Sequence, residues 1–457
     1  MRQYRRFILP LYLLLGACMP VTPAEVPSRA ATTATGLPPI KTFAVPRPVP
    51  AQRSNTDIAR DFLELSFKLE SGRDIPVFTR FEGPITVRVT GAPSSNLQSD
   101  LNRLLHRLRA EARIDISQTA TGPANVTIES VSRADIRRAL PMAACFVVPN
   151  VSSLAEYRRA RRSPAVNWLR LRKREKIAIF VPNDAPPQEV RDCLHEELAQ
   201  ALGPLNDLYR LPDSVFNDDN VHTVLTGFDM LILRAYYDPA LRNGMTRREA
   251  ALKIRDILAR INPQGANRPS HRLERTPRLW IEAVQTALGP GAKSAQRRRA
   301  AAEALQIAAA MGWQDHRRAF SHYAMGRLNQ LSDPKAAEAE FRKANAYYAR
   351  SNDTSLHRAY VTSQLAAFAI SSNEPRTALE MLGPSIQIAA RHENAALLAT
   401  LMMLQAEALD LEGRASEAQR IRMDSLGWAR YGFGPEWAVR SKLREISALN
   451  PLKRPRL

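Results

Sequence analysis

Three short polar turns recur in the second half of the chain at a spacing of about forty residues, and they constrain its fold more than any other feature. They are Ser332-Asp333-Pro334, Ser372-Asn373-Glu374-Pro375 and Glu412-Gly413-Arg414. Each is followed by a segment in which small and large apolar residues alternate at helical spacing: AAEAEFRKANAYYA, RTALEMLGPSIQIAA and ASEAQRIRMDSLGWA. A single helix pair of this kind cannot bury its apolar face alone, so successive pairs must stack. Residues 275–440 therefore read as an all-α array of helix hairpins, followed by a basic tail over 441–457.

The first eighteen residues carry a different message. Arg2, Arg5 and Arg6 form a positive start, residues 8–15 an apolar run, and Leu15-Gly16-Ala17-Cys18 a lipobox. The apolar run is too short to span a bilayer as a helix, so 1–17 are expected to be a signal peptide. Cys18 would then receive lipid, and several acyl chains on one cysteine hold a protein firmly at a membrane. By resemblance to Gram-negative lipoproteins, Met19 after the cysteine favours the periplasmic face of the outer membrane. Residues 18–54, rich in Pro, Ala and Thr and without periodicity, read as a disordered tether.

The formal net charge is +20. Such a balance suits an anionic neighbour, whether lipid head groups, an acidic envelope polymer or an acidic partner, and no nucleic acid is expected because an exported lipoprotein rarely meets it. The tightest basic cluster is Arg158-Arg159-Ala-Arg161-Arg162, continued by Arg170, Arg172, Lys173, Arg174 and Lys176. With Cys18 lipidated, Cys145 and Cys193 remain as an even pair, and an oxidising compartment would bridge them; two buried free thiols are the alternative.

Residues 55–262 mix helix and strand patterns, which predicts an α+β domain. Helices are expected over 57–69, 96–112 and 187–203, and strands over 85–89, 124–130, 145–149 and 176–182. Gly203-Pro204 ends the last of these helices.

That helix carries the chemistry. It contains Glu196-Glu197-x-x-Gln200-x-x-Gly203-x-x-Asn206, followed by Asp207. A metzincin zinc protease has His-Glu-x-x-His-x-x-Gly-x-x-His/Asp at the same spacing, because ligands four apart share one helical face and the glycine lets the chain return a third. Glu197 falls at the general-base position, and Glu196, Gln200 and Asn206 fall at the ligand positions without any imidazole. His195 stands one residue too early, since it would pair with Ala199. Residues 214–217 and the helix LTGFDMLILRAYYDP, with Thr226, Asp229 and Tyr236 or Tyr237, resemble the turn and helix that follow the motif in matrixin-like metzincins. The turn methionine is missing: Val215 is near its place and Met230 lies inside the helix. His222, His271 and His316 are isolated and read as surface or packing residues.

The domain thus resembles a degenerate metzincin-like (zincin-type) fold, and more closely a family of bacterial envelope proteins known only as of unknown function. The forty-residue array resembles tetratricopeptide repeats. Together they imply an envelope lipoprotein that binds or scaffolds, with a protein partner on the repeats and no cofactor. The alternative is an atypical envelope metallohydrolase or peptidase in which Glu197 is the base and zinc or another divalent metal is held weakly by oxygen ligands.

Overall fold

The computed structural model describes residues 36–44 and 49–453. Cys18 and residues 1–17, the expected signal peptide, lie outside the described residues. Among the described residues no helix is long and apolar enough to cross a membrane.

The first region is built on a five-stranded sheet in the order β2-β1-β3-β5-β4. The strands are β1 (Ile85–Gly91), β2 (Ile116–Gln118), β3 (Val126–Val131), β4 (Phe146–Pro149) and β5 (Ile177–Pro182). β2, β1, β3 and β5 run parallel, and β4 pairs antiparallel to β5 with Phe146 opposite Phe180. Parallel strands need helical crossovers, so the region is α/β in its connections where the sequence pattern suggested α+β. The helices are α1 (Asn55–Ser66), α2 (Leu97–Ala110), α3 (Arg133–Ala139), α4 (Leu154–Ala160), α5 (Pro187–Leu202), α6 (Gly227–Tyr236) and α7 (Arg247–Ile261).

β5 is buried on both faces, as a central strand of a covered sheet must be. Ile177, Ile179 and Val181 join the cluster formed with α1, α2 and α5, whereas Ala178 and Phe180 face Ile136 of α3 and Leu154 of α4. The period-two alternation of one strand thus stitches two helical layers. Side-chain caps start the helices: Ser54 accepts from Asp57 N, and Thr226 and Thr246 form reciprocal capping boxes with Asp229 and Glu249.

The second region is all helical: α8 (Arg278–Leu288), α9 (Ser294–Ala310), α10 (His316–Asn329), α11 (Pro334–Tyr348), α12 (Ser355–Ser371), α13 (Pro375–Arg391), α14 (Ala395–Leu411), α15 (Ala415–Phe433) and α16 (Glu436–Ser447). The three polar turns fall between α10 and α11, α12 and α13, and α14 and α15. Pro334 and Pro375 open their helices, where the missing N–H costs nothing. Asn373 and Gly413 turn the chain with positive φ, at 61° and 77°. Small residues let the hairpins close: a Cβ on Gly326 would stand 2.8 Å from the Phe341 ring.

Where they are described, the segments read as a tether and as a basic tail are both seated. Within the expected tether, Leu37 is buried, Lys41 N–H donates to the Gly427 carbonyl, and the Phe43 ring stacks on Trp428 at 4.5 Å. Arg103 of α2 donates to the Phe43 carbonyl at 2.8 Å and Arg430 of α15 to that of Pro38 at 2.7 Å, so 37–44 strap the two regions together. At the other end, α16 covers the array. Beyond it, buried Asn450 donates to Glu407 at 3.0 Å, and Lys453 pairs with Glu407 at 2.6 Å.

Candidate functional site

Helix α5 has two working faces. One docks on the helical array: buried Arg191 reaches Glu393, and Gln188 donates to Asn394 Oδ1 (3.2 Å) and accepts from Ala396 N–H (2.9 Å). Cys193, three and four residues before Glu196 and Glu197, is bridged to Cys145, which ties α5 to the residue before β4 across 48 positions. The other face carries Glu196, Glu197 and Gln200.

The end of α5 is held from a distance in sequence. Buried Arg174 donates Nη1 to the carbonyls of Gln200 (2.6 Å) and Ala201 (2.7 Å), and Nη2 to that of Gly203. It satisfies the carbonyls a helix terminus leaves open and complements the negative end of its dipole. Arg174 therefore leaves the surface cluster in which its neighbours remain. At Gly203 the chain passes so close to Tyr236 that a Cβ would meet its ring at 3.0 Å. The turn then follows α1: Leu205 N–H donates to Leu65 O, and Asn206 Nδ2 to Glu64 O, both at 3.0 Å. Arg210 pairs with Asp61 (2.6 Å) and Glu64 (3.0 Å), fixing the same segment.

The downstream motif assembles as a unit. Asp229 is fully buried; it accepts from Ser214 Oγ (2.5 Å), Val215 N–H (3.2 Å) and Thr226 N–H (2.8 Å). Burial pushes its carboxyl up to about 6 against these donors. Tyr237 Oη donates to Leu202 O at 2.9 Å, and Met230 is buried in the core. His195 points away from Glu196: its Nδ1 accepts from Leu225 N–H at 3.1 Å, and burial holds its pKa well below the usual range. His316 is buried against the carbonyl of Tyr209 and half-buried His222 lies against that of Pro212, whereas His271 uses its backbone N–H, on Asp57.

The carboxyls of α5 meet others that the motif does not contain. Burial raises Glu196 to about 7, helped by Glu70 and Asp218. Burial, then Glu196 and Glu70, hold Glu197 well above its ordinary value; Asp207 is raised in the same way, and Asp192 one turn earlier mainly by burial. Glu197 is 5 % exposed, and its Oε2 has no hydrogen-bond partner; nor do Oδ1 of Asp207 and Oδ1 of Asp192. Glu70 and Asp218 are exposed positions in loops distant from α5 in sequence, which is why spacing alone does not reveal them.

Asp218 joins this cluster to a cavity of about 910 Å³ between the 218–221 loop and helices α8 to α12. Its wall is aromatic: Tyr209, Phe320, Tyr323, Tyr348 and Tyr360. Tyr209 Oη donates to Asp218 at 3.0 Å, and Gln285 of α8 donates to the same carboxylate at 3.2 Å. A smaller cavity of about 250 Å³ lies on the other side of Tyr209, against Glu70 and Asp207.

The residues do not fit a zinc centre. Neutral imidazoles suit zinc, and none stands on this face. The Asn206 amide is committed to Glu64 O. Among the described residues no group of three or more His, Cys, Asp or Glu is arranged to hold a metal ion. What the arrangement can do is hold protons on buried carboxyls beside a large aromatic cleft.

No curated protein and no solved structure matches the chain. Residues 55–256, from the start of α1 into α7, match the model of a family described as protein of unknown function (DUF2927).

Proposed function

We propose that this protein is a binding protein of the cell envelope, anchored through Cys18, in which a metal-free metzincin-like domain and a tetratricopeptide-like array enclose a ligand cleft. The observation that carries the reading is the cavity of about 910 Å³, whose wall comes jointly from the loop after the motif and from the helical array. Ligand sites favour such junctions, with aromatic walls and a few convergent polar groups. The metzincin likeness rests on the element order: helix, strands, motif helix, a turn held by Asp229, then α6.

A second reading is favoured by one observation. Glu197 is buried with a free Oε2 beside Glu196 near 7, and a carboxyl poised there can act as a general acid or base. In that reading the protein is a hydrolase without metal.

Native mass spectrometry of the purified chain, incubated with envelope extract, separates the two. The binding reading expects a retained species of defined mass that is lost in Tyr323→Ala. It also expects no products of hydrolysis, in wild type and Glu197→Gln alike. Products formed by wild type and not by Glu197→Gln would establish the hydrolase.

A further inference from the structure

Helices α3 and α4 cover one face of the sheet and turn their apolar side chains inward. Ile136 and Ala139 of α3, and Leu154, Tyr157 and Ala160 of α4, pack with Ala178 and Phe180 of β5 and with Phe146 of β4. The Tyr157 ring lies 5.3 Å from that of Phe146. This spacing leaves the other positions outward: Arg137 and Arg138 on α3, Arg158 and Arg159 on α4, and Arg161 and Arg162 just after it are all exposed. In the loop that follows α3, Ala143 packs inward, whereas Leu140 and Met142 stand 40 % and 69 % exposed. Met142 also lines the cavity of about 910 Å³, so this outer face borders the cleft.

The charge of this face is not balanced from within. Residues 133–162 hold seven arginines against one aspartate and one glutamate. Asp135 takes Arg138 at 2.6 Å and Arg158 at 2.9 Å, which ties α3 to α4. Glu156 takes Lys176 at 3.0 Å and feels Arg159 from further off. Among the described residues Arg137, Arg159, Arg161 and Arg162 have no carboxylate oxygen within 4.0 Å. Like charges gathered so closely repel one another, and an anionic neighbour relieves the repulsion.

We propose that the outer face of α3 and α4 rests on an anionic phospholipid surface, with its arginines at the lipid phosphates and Leu140 and Met142 among the head groups. This goes beyond the cleft reading, which stands or falls without it. A guanidinium donates two parallel hydrogen bonds to a phosphate and keeps its charge. The apolar pair selects a bilayer over a soluble acidic polymer. Exposed apolar side chains gain by leaving water, and a bilayer interface offers an apolar layer beneath its charge. A basic patch of this kind also serves as the second signal that firm membrane attachment needs beside a lipid chain. Each arginine near such a surface strengthens binding roughly fivefold.

Co-sedimentation of the full chain with vesicles tests this, using phosphatidylcholine alone and a mixture of phosphatidylcholine with phosphatidylglycerol. Any binding through residues 1–18 is common to every variant. Tighter binding to the anionic vesicles is expected, with an excess that shrinks as salt is raised. Arg159→Gln/Arg162→Gln is expected to reduce that excess by about tenfold or more, and Leu140→Ser/Met142→Ser to reduce it too. Arg248→Gln/Arg255→Gln removes the same charge from exposed positions of α7, which packs in the cluster on the opposite face of the sheet, and is expected to change nothing. Equal binding to both kinds of vesicle overturns the proposal. An equal loss in the α7 variant also overturns it, because bulk charge would then suffice. Binding that needs the arginines and is indifferent to Leu140→Ser/Met142→Ser would assign the face to acidic charge alone, as on a soluble polymer, and would remove the lipid.

Discussion

Arg191 and Glu393 meet where the two regions join, and both are buried: Nη1 lies 3.4 Å from Glu393 Oε2, while Nη2 donates to the carbonyl of the same residue. The guanidinium also lies over the rings of Tyr431, at 5.2 Å, and Phe43, at 5.6 Å. One side chain of α5 thus gathers the strap, α15 and the turn before α14. Arg191→Ala leaves Glu393 buried without its partner. Losses of about 3–5 kcal/mol follow such removals, and denaturant unfolding measures it.

Gly203 is fixed by packing as well as by the turn. A methyl group there must displace the Tyr236 ring, itself buried between Phe62 and Phe78. Gly203→Ala is expected to destabilise by about 1–3 kcal/mol, the range for overpacked cores. Thermal unfolding checks it, and Tyr236→Leu in the same chain should recover part of the loss.

The bridge between Cys145 and Cys193 closes a loop of 48 positions. Replacing both with serine is expected to lower stability by about 2–4 kcal/mol. The comparison by denaturant unfolding is made without reductant.

Glu196 links stability to pH. Its folded pKa, about 7, lies above the ordinary 4.5, so between these values the folded chain binds more protons than the unfolded one. Its contribution to stability is therefore full below about pH 4.5 and lost as pH rises through 7. Buried His316 and half-buried His222 and His392, all shifted down, act in the opposite sense and weaken the fold as pH falls below their ordinary 6.5. Glu196→Gln is expected to raise Tm at pH 8 by about 2–5 °C and to leave Tm at pH 4.5 nearly unchanged. Scanning calorimetry at the two pH values reads the difference.

Much of the fold is legible in local patterns. The polar turns at 332–334, 372–375 and 412–414 mark real hairpins because Pro, Asn and Gly set backbone geometry directly. The strand near 176–182 and helix α5 stand out by uniform burial and by Gly203. β2 escapes notice because three residues carry no periodicity. The seating of 37–44 is hidden since a Pro-rich extended segment looks the same free or docked; only Leu37 and Phe43 hint at it. The site divides similarly. Spacing finds Glu196, Glu197, Gln200 and the Asp229 unit, but Glu70, Asp218 and the tyrosine wall join them only through tertiary structure.

In the function proposed above, the Glu196 face of α5 holds protons on clustered carboxyls and no metal. Elemental analysis by inductively coupled plasma mass spectrometry of the chain, purified without added metal or chelator, tests it most directly. The expected result is zinc far below one atom per chain, with Glu196→Ala no different from wild type. One zinc per chain, lost on Glu196→Ala in a folded protein, would contradict it.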